Sequence, residues 1–167
     1  FAKDTNLQHQ LFYSHNFGHN GPLAFHGLGI NAKISELQGA MGLAVLPYME
    51  RILSERGKVV DTYNDQLDFS KLKTIKIRSN TKWNYSYYPV IFESEKKLLE
   101  VQATLNQMQI FPRRYFYPSL NKIEYLAASE MIVSESIASR VMCLPLYVGL
   151  STSELNQIIT TINFALK

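Results

Sequence analysis

The residues best suited to chemistry crowd into one stretch, Asn16-Phe17-Gly18-His19-Asn20-Gly21-Pro22, then Phe25-His26-Gly27-Leu28-Gly29-Ile30-Asn31-Ala32-Lys33. The carboxamide of Asn31 is a neutral donor able to complete a phosphate cage. The glycines next to it let main chain and ligand approach closely. Lys33 brings positive charge to the same segment, although a lysine two residues before a helix cap reads equally well as a solvated side chain. His19 suits two roles, contact with a cofactor or substrate and a loop histidine bonded to backbone. No pattern supports a site at His26. Five of the chain's eight glycines fall between Gly18 and Gly39, so the backbone is being shaped here and not merely connected.

The elements around this loop follow from pattern. Ser35 with Gln38 resembles a capping pair. After it, Leu37, Met41, Leu43, Ala44, Leu46, Tyr48, Met49, Ile52 and Leu53 recur at helical spacing. Pro47 should kink or divide this helix, which continues to about Gln66 behind a solvated face of Glu50, Arg51, Glu55 and Arg56. Upstream, Asn6 to His15 reads as a helix with Leu7, Leu11 and Phe12 on one face, capped by Asp4 or Thr5. Phe1-Ala2 reads as the end of a strand, and the expectation is that an N-terminal portion precedes it.

Downstream, Leu72 to Ile77 alternates with period two and predicts a half-buried strand. Tyr85 to Phe92 predicts a second, with Pro89 arguing for an edge position or a bulge. Ser94 caps a helix through about Met108, Gln109 to Tyr117 predicts a third strand, and Ser134 to Met142 a short helix. Leu144 to Tyr147 is extended. Ser151 with Glu154 forms a capping box for a last helix, whose inner face is Leu155, Ile158, Ile159, Ile162 and Leu166. Helices and a small sheet in this order predict an α+β layered domain without internal repeats.

Composition excludes several classes. The 167 residues carry a formal charge of +3 and a sequence pI of about 8.9. Lys and Arg are scattered beside acidic residues, so nucleic acid has no footprint, whereas an anionic small molecule fits. The single cysteine, Cys143, sits in an apolar context as a packing residue, excludes an internal disulfide and points to a reducing, cytoplasmic setting. No apolar run approaches the roughly 18 residues of a membrane span.

Four segments in order carry a resemblance: Asn16-Phe17-Gly18-His19, Gly29 to Ala40, Arg114-Tyr115-Phe116-Tyr117-Pro118-Ser119-Leu120 and Leu144-Pro145-Leu146-Tyr147. Together they resemble the C-terminal part of the DegT/DnrJ/EryC1/StrS sugar aminotransferases, which use pyridoxal phosphate. The resemblance implies the C-terminal small domain of a fold type I enzyme of the aspartate aminotransferase superfamily. That means long interface helices and a small, mostly antiparallel sheet flanked by helices. It divides the chain into the end of the large cofactor domain with an active-site loop (1–34), a long helical connection and dimer interface (35–68), and a C-terminal subdomain (69–167).

By the same resemblance, Asn31 reaches across a homodimer to the phosphate of the partner's cofactor, and His19 belongs to a neighbouring cofactor or substrate motif. Lys33 stands where the family has Arg or Lys. The segment from Arg113 to Tyr117 matches a strand lining the substrate side. There a guanidinium can grip a diphosphate with two parallel bonds. Strand alternation puts Arg113 and Arg114 on opposite faces, so one of them serves, and Arg114 is the favoured one. Tyr115 and Tyr117 then share the other face, where a hydroxyl reaches a sugar or base, or is simply satisfied in the core.

The lysine that carries the cofactor in this family has no counterpart here and is expected upstream of Phe1, so the segment alone is expected to be inactive. The implied reaction moves an amino group from an amino-acid donor to a nucleotide-linked keto-sugar. A pyridoxal-phosphate-dependent sugar dehydratase and a non-catalytic dimerisation or binding module remain alternatives.

Overall fold

A computed structural model describes residues 3–123 and 129–167. The expected strand end at Phe1 and Ala2 lies outside them. The chain forms two compact units, Phe1–Tyr48 and Met49–Lys167.

The first unit holds two helices and the loop between them. Helix α1 (Thr5–Ser14) starts where the Asp4 side chain accepts the Leu7 N–H. Helix α2 (Glu36–Val45) starts at a complete capping box: the Ser35 hydroxyl accepts the Gln38 N–H, and the Gln38 side chain accepts the Ser35 N–H. At Pro47 the helical path is divided, as the missing N–H and the ring require, by a 3₁₀ turn at Leu46–Tyr48.

The second unit begins with helix α3 (Met49–Gln66) and continues through β1 (Lys73–Thr74), β2 (Tyr88–Ile91), α4 (Glu95–Gln107), α5 (Ile132–Arg140), β3 (Val141–Leu144) and α6 (Thr152–Ala165). The strands form one antiparallel sheet in the order β1-β2-β3. On its inner face Tyr88 pairs with Leu144 and Val90 with Met142. Those four join Val60 and Tyr63 of α3, Leu98, Val101 and Leu105 of α4, and Leu155, Ile158 and Ile162 of α6 in a single core. The predicted inner face of α6 is therefore the buried one. Asn163 ties helix ends together: its Oδ1 accepts the Asp68 N–H and its Nδ2 donates to the Gln66 carbonyl.

Four expectations change. Pro89 lies in the central strand, not at an edge. Its cross-strand neighbour Cys143 spends both its N–H and its C=O on Arg113, so the pair is not hydrogen-bonded and Pro89 faces β1 instead. Strand β1 ends at Thr74, which pairs with Val90, so no ladder bond is lost. The predicted strand 72–77 shrinks for the same reason. The predicted strand 109–117 is one bridge, Arg113 to Cys143, followed by a turn. The predicted helix 134–142 starts earlier and gives way at Val141 to β3, whose side chains are all buried.

Candidate functional site

The loop from Ser14 to Lys33 is closed by its own main chain. The chain runs out at Ser14–Phe17 and returns at Ile30–Ala32, with Phe17 N–H donating to the Ile30 carbonyl (3.1 Å) and Ala32 N–H to the His15 carbonyl (3.0 Å). Those two bonds flank an antiparallel bridge between Asn16 and Asn31. Asn16 and Asn31 are thus a non-hydrogen-bonded pair, the arrangement that brings facing side chains closest. Further in, Gly18 donates to Tyr13 O and accepts from His26 N–H, both at 2.8 Å. Phe17, Gly18 and Gly21 take left-handed backbone angles. Gly18 cannot be replaced, since a β-carbon there would lie 1.9 Å from the Gly27 carbonyl oxygen.

Each predicted residue of the loop has a definite place. The main chain of Asn31 is pinned on both sides. Its carboxamide is exposed, with no side-chain hydrogen bond among the described residues. Lys33 is engaged: its Nζ donates to Asn16 Oδ1 at 2.9 Å and lies 4.5 Å from the centre of the Phe17 ring. His19 stacks on Phe25 at 4.9 Å and meets Phe17 edge-on, while its N–H donates to the Asn16 carbonyl. His26 packs between His9 and Tyr13. The role of Asn16 as hub of this loop was not visible in the sequence, where only its place in a motif marked it.

Helix α2 buries none of its residues within the chain. Leu37 and Met41 are 84% and 67% exposed, and Ile34, Leu43 and Leu46 are exposed beside them. Exposed apolar side chains in this number are what interaction surfaces carry.

In the second unit the two arginines part company. Arg114 donates through Nη2 to Glu95 Oε1 and to the Ser139 carbonyl, both 2.7 Å, and its guanidinium covers the Tyr117 ring at 3.8 Å. Without a strand here the expected alternation fails, and Arg114 and Tyr117 are neighbours. Arg113 is exposed, donates to the Tyr115 hydroxyl and lies over that ring. Tyr115 stacks on Phe116 and meets Tyr87 edge-on. Arg113, Tyr115 and Tyr87 line a cavity of about 620 Å³, whose other walls include Phe111, Tyr147 and Gln157. Cys143 also lines it, with burial holding its thiol above the ordinary range. The lining is mostly aromatic and aliphatic and carries one cation, Arg113, and one carboxylate, Glu154. A ligand with a ring and polar groups of either sign suits it, with any anionic part at Arg113. Among the described residues no cluster of His, Cys, Asp or Glu could hold a metal ion.

The sequence pattern of the DegT/DnrJ/EryC1/StrS aminotransferase family matches residues 1–163. The chain belongs to that family. Among curated members it is 35% identical over 154 residues to the dTDP-4-amino-4,6-dideoxy-D-glucose transaminase of Shigella dysenteriae, covering 88% of this chain and 42% of the relative. The Escherichia coli protein of the same name is 34% identical, covering 81% and 39%. The fold matches a DegT DnrJ EryC1 StrS aminotransferase from Brucella abortus with a TM-score of 0.87 at 22% identity, over 98% of this chain and 44% of that one. It also matches the PLP-form of a putative sugar aminotransferase from Streptococcus pneumoniae, with a TM-score of 0.81 at 17% identity, over 99% and 44%. The chain thus spans about two fifths of the length of the DegT-family relatives it matches. Membership implies pyridoxal phosphate as the cofactor of the family. A pinned backbone presenting an unspent carboxamide, as at Asn31, fits one donor of a phosphate site.

Proposed function

We propose that the intact protein is a pyridoxal-phosphate-dependent aminotransferase acting on a nucleotide-linked keto-sugar, with an amino acid as donor. The observation that carries this reading is the 35% identity to a dTDP-4-amino-4,6-dideoxy-D-glucose transaminase across nearly all of this chain. By that likeness the substrate is a thymidine-diphosphate-linked 4-keto-6-deoxy sugar. Pyridoxal phosphate, when bound, supplies the electron sink for moving the amino group.

The residues of this chain bind and orient. Asn31 donates a hydrogen bond to the cofactor phosphate of the partner subunit, and His19, stacked on Phe25, shapes the loop behind it. Arg113 meets the anionic part of the sugar nucleotide, with Tyr115 beside it. Arg114 is held away from that role: its Nη2 is bonded to Glu95 and the Ser139 carbonyl, and its guanidinium covers Tyr117. Neither Arg114 nor Tyr117 lines the cavity, although the buried Nε of Arg114 has no hydrogen-bond partner among the described residues. The exposed apolar face of α2 supports a homodimer, and the single cysteine supports a reducing, cytoplasmic setting.

The test uses the full-length protein with pyridoxal phosphate, a panel of amino-acid donors and the thymidine-diphosphate keto-sugar. Mass spectrometry should find the carbonyl of the sugar replaced by an amine. A dehydrated sugar, or an unchanged one across all donors, would overturn the reading.

A further inference from the structure

Lys33 is the one cation of the loop, and its obvious use is to meet substrate phosphate directly. Its geometry says otherwise. The ammonium donates to Asn16 Oδ1 at 2.9 Å and stands 4.5 Å from the centre of the Phe17 ring. Asn16 and Phe17 are consecutive, so one side chain grips both residues of the step at which the loop turns. That step needs holding, because Phe17 has a φ of 58°, a left-handed angle that a residue with a β-carbon adopts at a cost. Asn16 is also the bridge partner of Asn31, in the pairing that brings side chains nearest. In extended chain Asn31 and Lys33, two apart, point to the same side, and that is the side of the facing Asn16.

We infer that Lys33 is a positioning residue that acts through Asn16 to hold the Asn31 carboxamide on the cofactor phosphate, and not a ligand of the sugar nucleotide. With its oxygen bonded to the ammonium, Asn16 is left with its NH₂ group to offer a ligand beside Asn31, and its oxygen is no longer a free acceptor. An anion meets that face more readily than one on which Asn16 is free to rotate. The inference rests on the reading of Asn31 as a phosphate donor.

Its test titrates pyridoxal phosphate, by absorbance, into the cofactor-free full-length protein and its variants. The KM for the sugar nucleotide is then measured at saturating cofactor. Lys33→Met and Asn16→Ala should each weaken cofactor binding about fivefold. The double variant should be no worse than either alone, the mark of two residues acting as one unit. Lys33→Arg should restore binding, and the KM should stay within about twofold throughout. An unchanged cofactor affinity in Lys33→Met with a raised KM would place Lys33 on the substrate and overturn the inference. Additive losses in the double variant would overturn it as well. If Asn31→Ala weakens the cofactor and the Lys33 and Asn16 variants do not, the inference alone falls. A wild-type protein that binds no cofactor removes the underlying reading with it.

Discussion

Gly29 lies so close to Gly18 that a β-carbon on Gly29 would stand 2.1 Å from the Gly18 nitrogen and 2.5 Å from the Phe17 carbonyl carbon. Neither atom can retreat, because the Phe17 N–H is bonded to Ile30 and the Gly18 N–H to Tyr13. The loop is therefore two passes of bare main chain in contact. Gly29→Ala should force them apart at a cost above about 2 kcal/mol, within the range that overpacking and strain produce. Thermal unfolding and cofactor titration of the full-length variant should both record the loss. Gly57→Ala, whose new carbon would meet the Tyr85 ring at an ordinary 3.5 Å, should change stability by less than about 1 kcal/mol and serves as the contrast.

Asn31→Ala in the full-length protein should weaken pyridoxal phosphate binding by about 1–3 kcal/mol, the cost of a lost hydrogen bond to a charged group. The fold of the loop should survive, since the bonds around Asn31 are made by its neighbours' main chain. Unaltered cofactor affinity would remove Asn31 from the site.

Leu37→Asp should dissociate the homodimer proposed for the full-length protein. Leu37 is 84% exposed within the chain, on a helix that buries nothing. A carboxylate pressed into an apolar interface costs several kcal/mol unless paired, about a hundredfold or more in the dimer constant. Sedimentation should show the monomer, and an undisturbed dimer would locate the interface elsewhere.

At high pH the second unit should lose stability through its buried tyrosines. Tyr88, donating to Asn64 at 2.6 Å, has its hydroxyl pushed up to about 12 by burial, and burial raises Tyr63 in the same direction. Both keep their protons in the folded state after an unfolded chain has released them, so the contribution is full below pH 10 and is lost as pH rises towards 12. Unfolding monitored by tyrosinate absorbance should show this onset, and Tyr88→Phe should reduce the slope.

The acid limb has a different source. Glu135 Oε1 accepts the Met131 N–H at the start of α5, and Glu135 also holds Asn121 and Lys122. The Met131 bond leads these contacts in lowering its carboxyl to about 2. Its contribution is present above the ordinary value of 4.5 and fades as pH falls towards 2. A carboxyl titration followed by NMR should find Glu135 well below the other glutamates, and Asn121→Ala should raise it.

What the sequence made legible was local. Asp4, Ser35, Ser94 and Ser151 cap the helices expected of them because a cap is a contact over three residues. Strands were harder, since each depends on a distant partner. Leu72 to Ile77 alternates throughout but pairs only where β2 offers a partner, and the short apolar run at Val141 to Leu144 reads equally as helix or strand. Among the candidate site residues, Asn31 stands out by chemistry and glycine context. The engagement of Lys33 by Asn16 spans 17 residues and exists only once the loop has closed. The contacts of Arg114 with Glu95 and Ser139 likewise lie 19 and 25 residues away, where no spacing rule reaches.

Main-chain bonds and two touching glycines set most of the outline of the Ser14–Ala32 loop, and the Lys33 side chain closes on its Asn16–Phe17 corner. Its shape therefore rests on few side chains, Lys33 and Asn16 foremost among them. The cavity of the second unit is built the other way, from the side chains of Tyr87, Arg113, Tyr115 and Gln157. Under the proposed function those positions are the ones to diversify for sugar preference, and the Gly18–Gly29 contact is the one to leave untouched.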